Sequence, residues 1–481
     1  MKTGSREIIK KFENAGKAFD ILKTISVTKR AAMFKKLRQE IIDNLDNIVS
    51  VICKETGKVK IEPLSSDVFP SLGTLNYFME NLEENLKEKT FKSDGDTCKV
   101  KYKPAGAAFI IAPWNFPFLL AFVPVLNAVA AGCSVILKPS EITPKTGKII
   151  EDLFRKAGFP RHTVQCVYGG ADVVQTAIRQ KPARVLFTGS TKAGKEIGKL
   201  CGELLIPAVL ELGGKAPVII CADADLQRTA NAVAYGAFIN NGQICVAMSR
   251  VFVDAKIKEK FVKFLLKNAA NIKLGRDYGK LAQPERIPYL KALIDDAVRK
   301  GAKIIFKGEK SEEFLSPVIL DGVTPEMRIF REECFAPVLC LKSFTSEKEA
   351  VALANDSCYG LAASVWSKDL NKAEKIADLL NAGSIGVNEW IKGVADPGLP
   401  FGGMKDSGYG RYHCEEGVRF FSGKISYLIS ESKNTSEVNW LPYEPEMYED
   451  FKTVIMLLLG VKKMSSKVSK SLSKLEHRMK R

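Results

Sequence analysis

The sequence predicts an α/β fold built on parallel sheets with helices on both faces. Two observations carry that prediction. From Ala107 onward, short apolar runs alternate with amphipathic helical segments, the order expected when strands are joined by helical crossovers. The runs themselves, such as AAFIIAP and SVILKP, are continuously apolar rather than alternating, as strands buried on both faces should be. With 481 residues, 46% of them apolar, the chain can bury large cores and is too apolar to be disordered.

Taken in order, the first ninety residues read as helices, with apolar spacing through ILKTISVTKRAAMFKKLRQEIIDNLDNIVSVICKETGK. Pro104 to Leu137 carries no charge and is long enough to suggest a transmembrane span. Pro113, Pro117, Pro124, Asn115 and Asn127 interrupt it, so it reads as strand, buried helix and strand of a soluble core. A helix through TPKTGKIIEDLFRKAG follows, with Pro144 in its first turn, where no backbone donor is lost. Strand VQCVYG, helix ADVVQTAIRQ, strand RVLFTGS and helix TKAGKEIGKLCGEL complete the first section. A second section opens near Ala216 with strand APVIIC, helix DLQRTANAVAYGAFINNG, strand SRVFVD and helix KEKFVKFLLKNAANI. It continues with ASVWS, a helix through NKAEKIADLLNA, and strand SIGVN. No repeat or long linker separates the sections, so any domains should pack closely.

Composition excludes several classes. The eleven cysteines are scattered singly, which excludes a disulfide scaffold and points to a reducing, cytoplasmic setting. Only His162, His413 and His477 are available, so no metal site is expected. The N-terminus is charged throughout and lacks the apolar core of a signal peptide. The formal net charge is +17. From Val461 to Arg481 eight basic residues face Glu476 alone, a net +7 that leaves +10 for the first 460 residues. A basic balance suits anionic partners without choosing among them.

Several segments have the residue types for chemistry. Cys245 follows a helix end marked by Asn240, Asn241 and Gly242. A thiol on such a turn can meet a ligand, whereas the other ten cysteines read as small buried hydrophobes. Glu211 closes the apolar strand PAVLEL ahead of Gly213-Gly214. Burial there raises a carboxyl's pKa and suits a general base, although a salt bridge across a domain boundary is an equal reading. Phe187-Thr188-Gly189-Ser190-Thr191 joins a strand to a helix. Its free N–H groups and the Ser190 hydroxyl suit a diphosphate, while an ordinary N-cap fits as well. Lys138-Pro139-Ser140-Glu141 ends a strand, where open α/β sheets bind ligands. An acid there accepts from ribose hydroxyls and repels a 2′-phosphate.

Together these segments resemble the NAD(P)-dependent aldehyde dehydrogenase superfamily. The matches run in order through Pro113-Trp114-Asn115-Phe116-Pro117, Lys138-Pro139-Ser140-Glu141, Phe187–Thr191, Glu211-Leu212-Gly213-Gly214-Lys215 and Gly242-Gln243-Ile244-Cys245. Glu332-Glu333-Cys334-Phe335-Ala336-Pro337-Val338, Asn388 and Pro400–Gly408 continue the series, and the similarity reaches about Ser430. The resemblance implies an aldehyde dehydrogenase-like fold. Its parts are a Rossmann-type nucleotide-binding sheet (1–85 and 105–212), a second α/β catalytic domain (213–420) and a small β bridging or oligomerisation element (86–104 and 421–432). Residues 433–481 are an apolar-basic extension.

It further implies that Cys245 is the nucleophile, Glu211 the base that activates the hydrolytic water, and Asn115 an oxyanion donor. Trp114, Lys138, Glu141, Gly189, Ser190, Glu333 and Phe335 would contact the cofactor. That cofactor is NAD by the charge of Glu141, with NADP open because some relatives with an acid here use both. Asn388 and Phe401 match positions that support the active-site region, and for Phe401 plain packing is an equal reading. The expected activity is oxidation of an aldehyde to a carboxylic acid through a thiohemiacetal and a thioester, with long-chain or lipid-derived aldehydes among the candidates. The alternative is a catalytically silent scaffold of the same fold. Ala336 and Cys414 stand where glycine is common, and local repacking is the expected result. A homodimer or homotetramer is implied.

Beyond the resemblance, residues 451–481 combine a short apolar stretch with the basic tail. About ten apolar residues cannot span a bilayer of roughly 30 Å. Two readings remain: contact with a membrane surface, or a packed helix followed by a disordered solvated tail. Nucleic acid is not expected, because the basic cluster has no interleaved aromatics.

Overall fold

A computed structural model describes residues 2–93, 95–309, 311, 314–437, 439–460 and 466–479. Two compact units divide the chain: 1–87 with 102–424, and 88–101 with 425–481.

The larger unit holds two sheets. The first has six strands in the order Gly408–Tyr409, Ala208–Glu211, Arg184–Thr188, Ala108–Ile111, Val135–Lys138 and Val164–Cys166. All pairs are parallel except the first, where Gly408 lies opposite Glu211. The chain steps outward from Ala108–Ile111 to Val164–Cys166. It then returns to the other side of Ala108–Ile111, leaving a crevice at the carboxyl ends where the order reverses. Ala108–Ile111 and Val135–Lys138 are buried at every position, which is why their sequences do not alternate. The run read as a possible membrane span is strand, helix Leu119–Ala131 and strand. Among the described residues no helix is long and apolar enough to cross a membrane.

The second sheet has seven strands: Lys303–Lys307, Val318–Asp321, Val338–Phe344, Met248–Asp254, Ala216–Ile220, Ala362–Trp366 and Ser384–Val387. Only the edge pair Lys303–Lys307 with Val318–Asp321 is antiparallel. One hydrophobic cluster contains residues of both sheets, from Leu137 and Leu186 to Val218 and Leu341. The sequence-predicted helices and strands all form, some shorter than their apolar runs suggest. Cys358 is exposed and Cys53 and Cys98 are half-buried, so burial does not hold for all ten remaining cysteines.

The smaller unit contains most of a three-stranded sheet ordered Lys89–Ser93, Asp96–Pro104 and Ser422–Ile429, and two helices, Met447–Leu458 and Ser466–Met479. The basic segment expected as a solvated tail is therefore helical over 466–479. It folds back on its predecessor, with Ser471 Oγ donating to Asp450 at 2.6 Å. Residues 461–465 and 480–481 of the predicted tail lie outside the described residues.

Candidate active site

A cavity of about 380 Å³ opens between residues of both sheets and is lined by Cys245, Glu211, Thr188, Phe401, Tyr412 and His413, among others. The Cys245 turn is made by sequence. Helix Leu226–Phe238 ends, and Asn240, Asn241 and Gly242 follow with φ of 51°, 56° and 64°. Asparagine tolerates this left-handed region better than other side chains, and glycine occupies it freely. Gly242 has a second reason to lack a β-carbon, which would sit 2.3 Å from the Ala336 carbonyl oxygen. The turn's side chains then lock it. Gln243 Nε2 donates to Asn240 O at 3.0 Å, and Asn241 Nδ2 donates to Gly279 O at 2.8 Å.

Asn115 is drawn to the same turn. Its Nδ2 donates to the Gln243 carbonyl at 3.1 Å, two residues before the thiol. That bond uses one amide proton, fixes the amide plane and leaves the second proton for another acceptor.

Glu211 differs in kind. Its backbone is pinned by Gly189 N–H at 2.9 Å and by the pairing with Gly408. The carboxylate is 2% exposed, and neither oxygen has a hydrogen-bond partner among the described residues. Burial pushes its pKa well above the usual carboxylate range, and the Arg411 charge offsets this only in part. Among the described residues Glu211 forms no ion pair, which goes against the salt-bridge reading. Burial, with Glu333 and Glu211 adding negative charge, pushes the Cys245 thiol up to about 12.

The remaining predicted residues fall into two groups. Trp114 and Phe335 meet edge to face at 5.6 Å, Phe335 holding a left-handed φ of 51°. Lys138, buried at its strand end, pairs with Glu141 at 2.8 Å. Glu333 accepts from Gly214 N–H at 3.1 Å. Gly214 packs beneath Cys245, where a β-carbon would lie 2.2 Å from Cys245 O. Gly189 gives its N–H to Glu211, so it offers a ligand room rather than a donor. Ser190 is the N-cap of helix Thr191–Glu203, accepting from Ala193 N–H. Asn388 acts elsewhere: its amide donates to Ser367 O and accepts from Ser367 N–H. Phe401 lines the cavity and packs edge-on against Tyr412 at 5.6 Å.

The cavity and these motifs meet their match among known proteins. Residues 1–424 match the model of the aldehyde dehydrogenase family. The chain belongs to the aldehyde dehydrogenase family. It is 38% identical over 445 residues to a 4,4'-diapolycopene aldehyde oxidase of a Methylomonas species, covering 91% of this chain and 84% of that protein. It is 30% identical over 448 residues to a 4,4'-diaponeurosporen-aldehyde dehydrogenase of Staphylococcus aureus, covering 91% and 97%. The crystal structure of an indole-3-acetaldehyde dehydrogenase in complex with NAD+ matches with a TM-score of 0.85 at 31% identity, covering 89% and 90%. This aldehyde dehydrogenase is thus an oxidoreductase that oxidises an aldehyde with NAD. The sequence placed Thr188 in a motif without a role of its own, and its buried hydroxyl has no partner among the described residues; the cavity-lining Tyr412 and His413 were missed. The pair follows the Pro400–Gly408 motif closely, and that adjacency was the available signal.

Proposed function

We propose that Cys245, Glu211 and Asn115 carry the oxidation of a long, apolar aldehyde to its carboxylic acid. The observation that carries this is the unpartnered Glu211 carboxylate in the same cavity as Cys245. Cys245 gives its proton to a water molecule and its sulfur bonds the carbonyl carbon, whose π electrons move to the oxygen. The oxygen left negative accepts from the free Asn115 amide proton and the Cys245 backbone N–H. Bound NAD supplies the acceptor for the departing hydride, which leaves a thioester on Cys245. Glu211 takes a proton from water, the water oxygen adds to the thioester, and the C–S bond breaks to release the acid.

The residues present fit a dinucleotide. The reversal of strand order puts Lys138, Glu141 and the start of helix Thr191–Glu203 at one crevice. Lys138 and Glu141 suit ribose hydroxyls, the helix start a diphosphate, and Glu333 with Phe335 the nicotinamide end. The negative charge of Glu141 favours NAD over NADP.

For the substrate, the cavity wall is built from side chains such as Phe69, Leu120, Tyr235, Trp390, Ile391 and Val394, with no arginine. Such a wall suits an extended hydrocarbon aldehyde, and its one lysine, Lys392, is held 3.6 Å from Glu389. The carotenoid aldehydes named for two relatives belong to that class. Aldehyde-dependent NADH formation should vanish in Cys245→Ala, and normal turnover in that variant sinks the assignment. Across a series of aldehydes, kcat/KM should rise with apolar chain length and be lowest for succinate semialdehyde.

Two partners complete the reading. The edge strands Lys89–Ser93 and Ser422–Ile429 expose Phe91, Leu428 and Ile429, which supports a homodimer or homotetramer. Size-exclusion chromatography with light scattering checks it. Residues 451–481 contact an anionic membrane surface. Exposed Ile455, Leu458 and Leu459 precede a basic helix, after exposed Trp440, Tyr443 and Tyr448 nearby in the chain. Co-sedimentation with phosphatidylglycerol vesicles should fall when Leu458 and Leu459 become aspartate; unchanged binding removes this contact.

A further inference from the structure

Lys58, Glu62 and Asp67 lie 6%, 4% and 0% exposed on a segment to which the reaction assigns no role. Three ionisable groups taken out of water are costly unless each is paired and hydrogen-bonded. Their partners single them out. Asp67 Oδ2 pairs with Lys58 Nζ at 2.8 Å, while Oδ1 accepts from the backbone N–H of Phe118 at 3.1 Å and Leu119 at 3.3 Å. Glu62 Oε1 accepts from the backbone N–H of Asn240 at 2.8 Å. Lys58 Nζ also sits 4.2 Å over the Phe116 ring.

One carboxylate therefore grips the turn that carries Asn115, and the other grips the turn that carries Cys245. Asn240 closes the circuit. Its side-chain amide donates to Asn115 O at 3.0 Å and to Gln243 O at 3.2 Å, the carbonyl that Asn115 Nδ2 also uses. A pair serving only local stability has no reason to converge on both turns. Asn240 holds a left-handed φ of 51°, and the Glu62 bond fixes the N–H of that residue.

We infer that Glu62 and Asp67, the latter paired with Lys58, are positioning residues that set the distance between the Asn115 oxyanion donor and the Cys245 thiol. The inference rests on the roles proposed above for Asn115 and Cys245. Oxyanion stabilisation depends on a donor already in place, and a shift of about 1 Å is enough to cost a hundredfold. Neither Glu62 nor Asp67 lines the cavity, so their loss acts through the two turns and not through substrate contact.

The test is a double-mutant cycle in the full-length chain, with kcat expressed per Cys245 thiol in the folded fraction isolated by size-exclusion chromatography, so that misfolded protein does not count. Glu62→Ala should lower kcat about ten- to a hundredfold with little change in the aldehyde KM. Glu62→Gln keeps an acceptor oxygen for Asn240 N–H and should recover most of it. Asn240→Gly preserves the left-handed backbone, deletes the amide and should behave like Glu62→Ala. In an Asn115→Ala background, Glu62→Ala should cost less than about twofold, because the donor it positions is already gone. Equal losses in both backgrounds overturn the inference, as does an unchanged kcat per thiol in Glu62→Ala. If Asn115→Ala itself leaves kcat unchanged, the proposed mechanism fails instead, and the two failures are distinguishable.

Discussion

The two sides of the candidate catalytic cavity are held in opposite ways. Around Asn115 and Cys245, backbone and amide groups are tied together by a chain of hydrogen bonds through Asn240, Gln243 and Glu62. Around Glu211 the backbone is equally well pinned, yet the carboxylate has no partner among the described residues. A donor that must meet a transient oxyanion works by not moving, so every bond that fixes it helps. A base works by wanting a proton, and a bond that satisfied it would lower the pKa it needs. One side is built by saturation and the other by deprivation.

Removing the deprived group should have the largest effect. Glu211→Gln should cut steady-state turnover by about a thousand- to ten-thousandfold while leaving the first, stoichiometric formation of NADH, because hydride loss precedes the water step. Rapid-mixing absorbance at the NADH band checks this, and loss of the first phase would place Glu211 before the thioester. Next comes the saturated side. Asn115→Ala should lower kcat by about a hundred- to a thousandfold, the usual worth of one oxyanion donor, and should lower the NADH burst along with it.

The contrast also has a pH signature. Below a thiol pKa near 12, the thiolate fraction of the free protein rises tenfold per pH unit. Alkylation of Cys245 by iodoacetamide should therefore climb from pH 7 to pH 9 without a plateau. A plateau near pH 7 would show that the free thiol is already activated. Glu211 carries the sign for stability. Its folded pKa is raised, so its contribution is full below the unfolded carboxyl value and is lost as pH rises through the folded one. Glu211→Gln should accordingly gain melting temperature over the parent, and more at pH 9 than at pH 5. The smallest effect concerns Cys414. The backbone keeps a left-handed φ of 49° there, so the expected repacking comes with a strain that glycine lacks. Cys414→Gly should stabilise the chain by about 1 kcal/mol in urea unfolding, with activity unchanged.

What could be read in the sequence follows from what is local. Strands such as Ala108–Ile111 announced themselves because burial on both faces leaves an uninterrupted apolar run. Glu211 stood out as a carboxylate inside such a run, and Cys245 stood out through the Asn-Asn-Gly turn before it. The Lys58–Glu62–Asp67 cluster did not, because its charges sit in an ordinary helical pattern and their partners are some 50 to 180 positions away. Ser190 shows the limit from the other side. Its segment fitted both an N-cap and a diphosphate loop, and the cap is formed without removing the hydroxyl proton from use. The basic tail misled because charge density was taken for solvation. Leu475, buried within helix Ser466–Met479, gives that segment a surface to fold on.

Asn241 and Gly242 have a consequence for how this enzyme ages. An asparagine followed by glycine is the dipeptide most prone to lose ammonia through attack of the next backbone nitrogen on the side-chain amide. Here that amide is buried and donates to the carbonyls of Gly279 and Lys280, so it is held away from the cyclising geometry. Opening of the turn removes that protection. The product carries an extra methylene in the backbone four residues before the thiol, so the two carbonyls that hold the Asn241 amide also guard the spacing of the Cys245 turn.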